Sequence, residues 1–363
     1  MGLRTAQPVS AITRVMICDD SVVIRSAIAG ILEQDATIKV MARPANGEAA
    51  LEQLRRQPID VIVLDIEMPV MDGLTAVPLL LKQDPGVRII MASTLTSRGA
   101  DIALQALRLG AVDYLPKPSA KEILNGGFRA ELIAKIKGHA RLRERAVLSP
   151  LALSTPPPKP AQPLRPAGIE RAQLLAIGSS TGGPQALFQL IQGLGTNIPV
   201  PVIITQHMLP SFIPILAEHL TRLGGMPCCE AQDGERLACG RIYVAPGDRH
   251  LLVERRESQI FAKLSADPPE NYCRPAIDPM LRTASAAVGG RLLIAMLTGM
   301  GHDGLAGTRS GVAAGGTAIA QDEASSVVWG MPGAIAQAGL CHAILPLQHI
   351  AEKILALLDV KSG

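Results

Sequence analysis

Short apolar runs alternate with longer stretches of helical spacing through the first third of the chain. Val15–Cys18, Ile38–Met41, Asp60–Leu64, Val87–Ser93 and Asp113–Leu115 have the length and β-branched content of buried strands. Between them, Val22–Gln34, Glu48–Arg56, Leu74–Lys82 and Ala100–Leu109 carry apolar residues at three- and four-residue spacing, and a last helix is expected around Ala130–Arg145. Repeated βα alternation predicts a doubly wound parallel sheet, with its functional groups at the C-terminal ends of the strands. The pattern then stops. Ser149 to Gly168 is rich in proline, including Pro156-Pro157-Pro158, and has almost no apolar periodicity. That composition predicts an extended linker, with a Pro-rich recognition peptide as the alternative.

A second βα series begins at Leu174. Strands are expected at Leu174–Ile177, Val200–Gln206, Arg241–Val244, Leu292–Leu297 and Thr317–Ala320. Helices are expected near Pro184–Gln192, Phe212–Leu223, Ile277–Ala287, Leu305–Ala314 and Ile350–Leu358. Leu251–Val253 and Ile260–Leu264, joined across a charged turn, predict a hairpin beside the sheet. The expected organisation is an N-terminal extension at 1–13, a first α/β domain at 14–138, a helix end and linker at 139–170, and a second α/β domain at 171–363.

Composition narrows the function classes. A net charge of +3 over 363 residues implies no nucleic-acid or membrane-surface partner, and 2% aromatics argue against base stacking. Met1 to Thr13 lacks the pattern of a signal peptide, and no apolar run approaches the roughly 20 residues of a membrane span. The six cysteines form no C-x-x-C pair or metal-ligand cluster. The expectation is a cytoplasmic protein that does not insert into a membrane.

Two groups of polar residues fall at strand ends. Asp19 and Asp20 follow the first strand and Asp65 the third, which in a doubly wound sheet brings three carboxylates together. Such crowding is costly unless a cation or protons offset it, and hard oxygen ligands suit Mg²⁺. Ser93 and Thr94 end the fourth strand and Lys117 the fifth, so a hydroxyl and an ammonium face the same pocket, as phosphoryl oxygens require. The alternative is a flavodoxin-like domain with an acidic surface patch.

In the second series, the strand Leu174–Ile177 runs into Gly178-Ser179-Ser180-Thr181-Gly182-Gly183-Pro184. Residues 178–182 match G-x-S-x-G, a turn that lifts a serine clear of a sheet edge, and Pro184 opens a helix. A Gly-rich turn that binds phosphate or merely connects two elements is the other reading. His207 ends the next strand, and Asp303 follows the strand Leu292–Leu297. Serine, histidine and aspartate at one sheet edge have the logic of a hydrolytic triad. The order Ser, His, Asp differs from that of α/β-hydrolases. Ser179 rivals Ser180 as nucleophile, although Ser180 is central in the turn, and His302 rivals His207 as base. Asp303, before Gly304, could instead cap a helix.

The first series resembles the response-regulator receiver family from Arg14 to about Lys137, through Asp19-Asp20, Asp65-Ile66-Glu67-Met68-Pro69, Met71-Asp72-Gly73 and Lys117-Pro118. The resemblance implies that Asp65 accepts a phosphoryl group and that Asp19, Asp20, Asp65 and the Glu67 carbonyl hold Mg²⁺. It makes Ser93 the switch hydroxyl, with Thr94 as alternative, Tyr114 the rotating aromatic and Lys117 the phosphate contact. The second series resembles the chemotaxis protein-glutamate methylesterase (CheB) family, through IGSSTGG at 177–183, ITQHM at 204–208, YVAPGDRH at 243–250, LTGMGHDG at 297–304 and QDEASSVVWGMP at 321–332. Ala276 departs from the small hydroxyl residue common there. The implied fold is a flavodoxin-like receiver followed by a Rossmann-like methylesterase domain. The resemblance selects Ser180, His207 and Asp303 as the triad and the Met300 amide as an oxyanion donor, with Thr181 shaping the pocket. It implies hydrolysis of glutamate methyl esters, and deamidation of glutamines, on methyl-accepting chemotaxis receptors. A histidine kinase would supply phosphate, and the unphosphorylated receiver would pack over the Ser180 cleft. The esterase step needs no cofactor by this reading. A receiver-controlled hydrolase acting on another ester or amide is the alternative.

Overall fold

The computed structural model describes residues 12–93, 96–117, 126–148, 164–168 and 170–358. Thr94, almost all of the expected N-terminal extension and most of the Pro-rich segment lie outside them. Among the described residues the first sheet is formed by β1 (Thr13–Cys18), β2 (Ile38–Ala42), β3 (Val61–Asp65), β4 (Arg88–Ser93) and β5 (Asp113–Pro116). All its pairings are parallel, in the order β2-β1-β3-β4-β5. Every residue of β3 is buried, as expected of a central parallel strand covered on both faces. The helices are α1 (Val22–Leu32), α2 (Gly47–Arg56), α3 (Gly73–Gln83), α4 (Ser97–Arg108) and α5 (Gly126–Leu148). Ser21, Asn46 and Asp72 begin α1 to α3 by accepting the N–H of Ile24, Ala49 and Thr75. α5 is tied to β5 by a buried ionic cluster. Lys135 Nζ donates to Asp113 Oδ1 at 2.9 Å, and His139 Nε2 lies 3.2 Å from Asp113 Oδ2. The Lys135 ammonium lies 5.1 Å from the centre of the Tyr114 ring, which holds that aromatic in the core.

The second sheet contains β6 (Leu174–Ser179), β7 (Val202–Gln206), β8 (Cys228–Glu230), β9 (Ile242–Val244), β12 (Leu292–Met296), β13 (Thr317–Gln321) and β14 (Ala343–Leu345). It too is wholly parallel, in the order β14-β13-β12-β6-β7-β9-β8. Its helices are α6 (Gly183–Leu194), α7 (Ile213–Gly224), α8 (Ile277–Val288), α9 (Leu305–Ala313), α10 (Met331–Gln337) and α11 (Leu347–Leu357). The expected hairpin is present as β10 (His250–Arg256) and β11 (Gln259–Ser265), and its apolar face joins the core with Met280, Leu281 and Ala284 of α8. β7 starts at Val202 rather than Val200 because Pro201 has no N–H to give a ladder. The edge strands β8 and β14 and the short α10 were not legible in the pattern. A strand of three residues is too short to show an alternation, and α10 is seven residues long.

In both sheets the strand order reverses at one point, and there a crevice opens at the C-terminal ends. In the first sheet it lies between β1 and β3. In the second, β6 has β7 on one side and β12 on the other, so three loops meet at its end.

Candidate active site and acidic pocket

At the first crevice, carboxylate oxygens of Asp19, Asp20 and Asp65 lie within 4.8 Å of one another. Asp19 and Asp65 are buried and Asp20 is exposed. Lys117 Nζ sits 2.8 Å from Asp65 Oδ2 and 3.0 Å from Asp19 Oδ2. Apart from that ammonium, these two buried oxygens have no hydrogen-bond partner among the described residues. One cation among three carboxylates leaves the pocket short of positive charge. Burial, with the Asp19 charge beside it, outweighs Lys117 and pushes Asp65 up to about 6. Hard oxygen donors at this spacing fit a divalent cation such as Mg²⁺. Ser93 is buried at the end of β4, and its carbonyl accepts the Lys117 N–H at 2.7 Å, which fixes the lysine's backbone beside the pocket. Glu67 stands in the turn just past β3.

At the second crevice the two candidate serines have different surroundings. Ser179 is fully buried, and its hydroxyl donates to Gln206 Oε1 at 2.6 Å. Ser180 is half-buried in the turn between β6 and α6. Its N–H donates to Thr298 O and its carbonyl accepts Gln206 Nε2, both at 3.0 Å. The turn closes with Gly182 at φ +74°, where a Cβ would lie 2.4 Å from Val327 Cγ2. Glycine is required here for conformation and for space. Thr298 Oγ1 donates to Thr181 O at 2.9 Å, joining the β6 and β12 loops.

His207 follows β7, and its N–H donates to Ser179 O at 3.1 Å. Its Nε2 lies 2.8 Å from Asp303 Oδ2 and its Nδ1 3.5 Å from Cys273 Sγ. Asp303 is buried. Its Oδ2 also accepts Ile277 N–H at 2.6 Å, while Oδ1 accepts Asn271 Nδ2 at 2.9 Å, Asp278 N–H at 3.1 Å and Gly304 N–H at 2.9 Å. Ile277 and Asp278 open α8, so the carboxylate fills the cap that Ala276 has no side chain to supply. Burial raises the Asp303 pKa, but His207 and these donors overcome it, and the net direction is down. His302 is exposed, one residue from the buried pair. Met300 is 39% exposed, and among the described residues no backbone carbonyl accepts its N–H.

The CheB methylesterase family model matches residues 175–354, and the response regulator receiver domain model matches residues 15–126. The chain is 50% identical to protein-glutamate methylesterase/protein-glutamine glutaminase 1 of Paramagnetospirillum magneticum, an alignment that covers 98% of this chain and 99% of that one. It is 52% identical to the protein-glutamate methylesterase/protein-glutamine glutaminase of Azospirillum brasilense, over 94% of this chain and 91% of that one. The chain belongs to the CheB methylesterase family. The crystal structure of the Thermotoga maritima CheB methylesterase catalytic domain is similar to 51% of this chain and 98% of its own, at 38% identity and a TM-score of 0.50.

In this CheB family member several residues that frame the crevice were not singled out in the sequence. Gln206 fixes Ser179 and reaches the carbonyls of both Ser180 and His207. Thr298 N–H donates to Gln321 Oε1 at 2.8 Å, which draws β13 into the same frame. Gln206 and Thr298 stand inside the motifs at 204–208 and 297–304, and that position was the only signal for them. Asn271, Cys273 and Asp278 lie outside any quoted motif and reach the site from 32, 66 and 25 residues away along the chain. The two partners of His207 oppose its burial. Burial favours the neutral ring, but hydrogen bonding to Asp303 and Cys273 prevails and pushes His207 up to about 9. Among the described residues, no helix is long and apolar enough to cross a membrane.

Proposed function

We propose that this chain is a phosphorylation-controlled serine esterase that hydrolyses glutamate γ-methyl esters on methyl-accepting chemotaxis receptors and deamidates receptor glutamines. The receiver occupies residues 14–138, the linker 139–170 and the catalytic domain 171–363, all in the cytoplasm. The observation that carries the chemistry is the His207–Asp303 contact at the end of β7, one strand from Ser180. Asp303 holds Nε2, which leaves Nδ1 to take the Ser180 proton as the hydroxyl attacks the ester carbonyl. The unoccupied Met300 N–H meets the oxyanion. Removing one such donor typically costs about 100- to 1,000-fold in rate. His207 then gives that proton to the departing methoxide or amide nitrogen, releasing methanol or ammonia, and afterwards deprotonates the water that cleaves the acyl-enzyme, returning the proton to Ser180.

In the receiver, Asp65 accepts a phosphoryl group from a histidine kinase. Mg²⁺, when bound, would neutralise phosphoryl charge, held by Asp19, Asp20, Asp65 and the Glu67 carbonyl. Lys117 contacts a phosphoryl oxygen, and Ser93 or Thr94 supplies the hydroxyl. Tyr114 follows the hydroxyl's movement, and this two-state surface releases the esterase from inhibition.

Methanol release from methylated receptor membranes tests the reading. Ser180→Ala is expected to abolish it and leave phosphorylation of Asp65 intact. Ser179→Ala, which loses one internal hydrogen bond, is expected to retain turnover. The opposite ranking of the two variants would move the nucleophile to Ser179, and release from neither wild type nor variants would point to a different ester or amide.

A further inference from the structure

Cys273 ends a tight turn that touches both members of the His207–Asp303 pair. Glu270 and Cys273 exchange backbone hydrogen bonds of 3.1 and 2.9 Å, and Asn271 and Tyr272 between them have φ of +53° and +65°. Two consecutive left-handed residues make a type I′ turn. A fully exposed tyrosine in that conformation costs on the order of 1 kcal/mol, so the rest of the structure must hold it. Two ion pairs do so. Glu270 takes a two-pronged contact from Arg282 at 2.6 and 2.7 Å, and Arg274, just past the turn, binds Asp248 at 3.0 and 2.6 Å. From this clamped turn, Asn271 Nδ2 reaches Asp303 Oδ1, and Cys273 Sγ reaches His207 Nδ1.

We propose that Cys273 is a positioning residue of the esterase reaction, holding the His207 ring by Nδ1 in the orientation that proton transfer from Ser180 needs. The inference rests on the reading of His207 as the base. A ring bonded only through Nε2 can swing about that contact and carry Nδ1 out of line. A second contact at Nδ1 removes this freedom. A thiol suits the task because it is a weak hydrogen-bonding partner and yields to the Ser180 hydroxyl, where a carboxylate would keep the nitrogen occupied. Asp303 and Cys273 are the titratable groups that meet the ring directly. Asp278 stands behind Asn271, Glu270 is neutralised by Arg282, and His302 is exposed on the Asp303 loop.

The test uses the full chain, activated with a small phosphodonor, on methylated receptor membranes. Methanol release is followed as a function of pH for wild type, Cys273→Ala and Cys273→Ser, and His207 is titrated by ¹⁵N NMR in the same proteins. In Cys273→Ala the rising limb of kcat/KM and the NMR titration should both move, and by the same amount, because the partner at Nδ1 is lost. Its plateau kcat should fall roughly tenfold with KM within about twofold, because only the alignment of the base is lost. Cys273→Ser, which keeps a polar partner at Nδ1, should regain most of both. A Cys273→Ala protein with wild-type kcat and an unmoved titration overturns the proposal. So does a loss that Cys273→Ser fails to rescue while His207 titrates as in wild type. An NMR titration that moves with no change in the pH–rate profile overturns instead the underlying reading of His207 as the base, and the positioning role with it.

Discussion

Asp65 and Asp303 are both buried aspartates at the C-terminal edge of a parallel sheet, and their surroundings push them in opposite directions. Asp303 is surrounded by donors: four backbone or side-chain N–H groups and the His207 ring. Asp65 shares one ammonium with Asp19 and has one backbone N–H, from Ile66, against the like charge of its neighbours. The first is a fixed charge with its solvation built into the fold. The second is a deficit of positive charge that a divalent cation can fill. Burial alone therefore says little about a carboxylate's role. What matters is whether the protein has already supplied its partners.

The largest expected effect breaks the satisfied site. Asp303→Asn puts an amide against Ile277 and Asp278 N–H groups that need acceptors, and it permits the wrong tautomer of His207. Methanol release is expected to fall by about 10⁴, the scale of an orienting carboxylate in a triad. Thermal unfolding followed by the single Trp329, which lies in the same domain, should show a loss of about 1–3 kcal/mol. A folded variant with near-normal turnover would mean that the amides, and not the charge, are what position the histidine.

The same substitution at Asp65 is expected to have the opposite sign. The folded state raises the Asp65 pKa from 3.8 to about 6, so the fold disfavours the ionised form. The stability this group contributes is full below its unfolded pKa and is lost as pH rises through about 6. Asp303, with a depressed pKa, contributes stability above its unfolded value and loses it as pH falls. Asp65→Asn should therefore stabilise the receiver by about 1–2 kcal/mol near neutral pH, less the share screened by solvent. The gain should shrink as pH falls below about 6 and vanish only near the unfolded value of 3.8, and the response to phosphodonor should be lost at every pH. Hydrogen exchange at β1 and β3 amides in the full chain measures this, and added Mg²⁺ should protect wild type but not the variant. Lower protection in Asp65→Asn across the pH range would show that the Lys117 pairing outweighs the repulsion.

The smallest effect sharpens the account of the cap. A serine at a helix N-cap is ordinarily worth about 1 kcal/mol over alanine. Ala276→Ser should gain less than about 0.5 kcal/mol on the Trp329 transition, because Asp303 already accepts the first-turn N–H groups of α8. A full gain would show that the carboxylate does not do the capping.

Asp303 also marks the limit of what the chain reveals locally. Before Gly304 it could be read as an orienter of histidine or as a helix cap, and in the fold its carboxylate meets both the His207 ring and the first turn of a helix that begins 26 residues earlier. The Ser179–Ser180 ambiguity is of the same kind. Both are serines in one glycine-flanked turn, and their surroundings differ through Gln206, 27 residues away, which takes the Ser179 hydroxyl.

The sequence by itself determined the parallel α/β class of both halves, the Pro-rich break between them, the strands that end in polar residues, and the motifs that place the chain in its family. These are local or periodic properties. Strand length, helical spacing and turn chemistry are written in neighbouring residues, and parallel strands separated by helices place their ends on one edge. Only the tertiary structure decided the strand order, the edge strands β8 and β14, and the partners of each buried charge. Those partners are contacts across tens of residues: Lys117 between Asp19 and Asp65, and Asn271 and Cys273 against Asp303 and His207. No local pattern encodes such contacts. A buried carboxylate is defined by the donors that the packed chain brings to it, and those are chosen when the core closes.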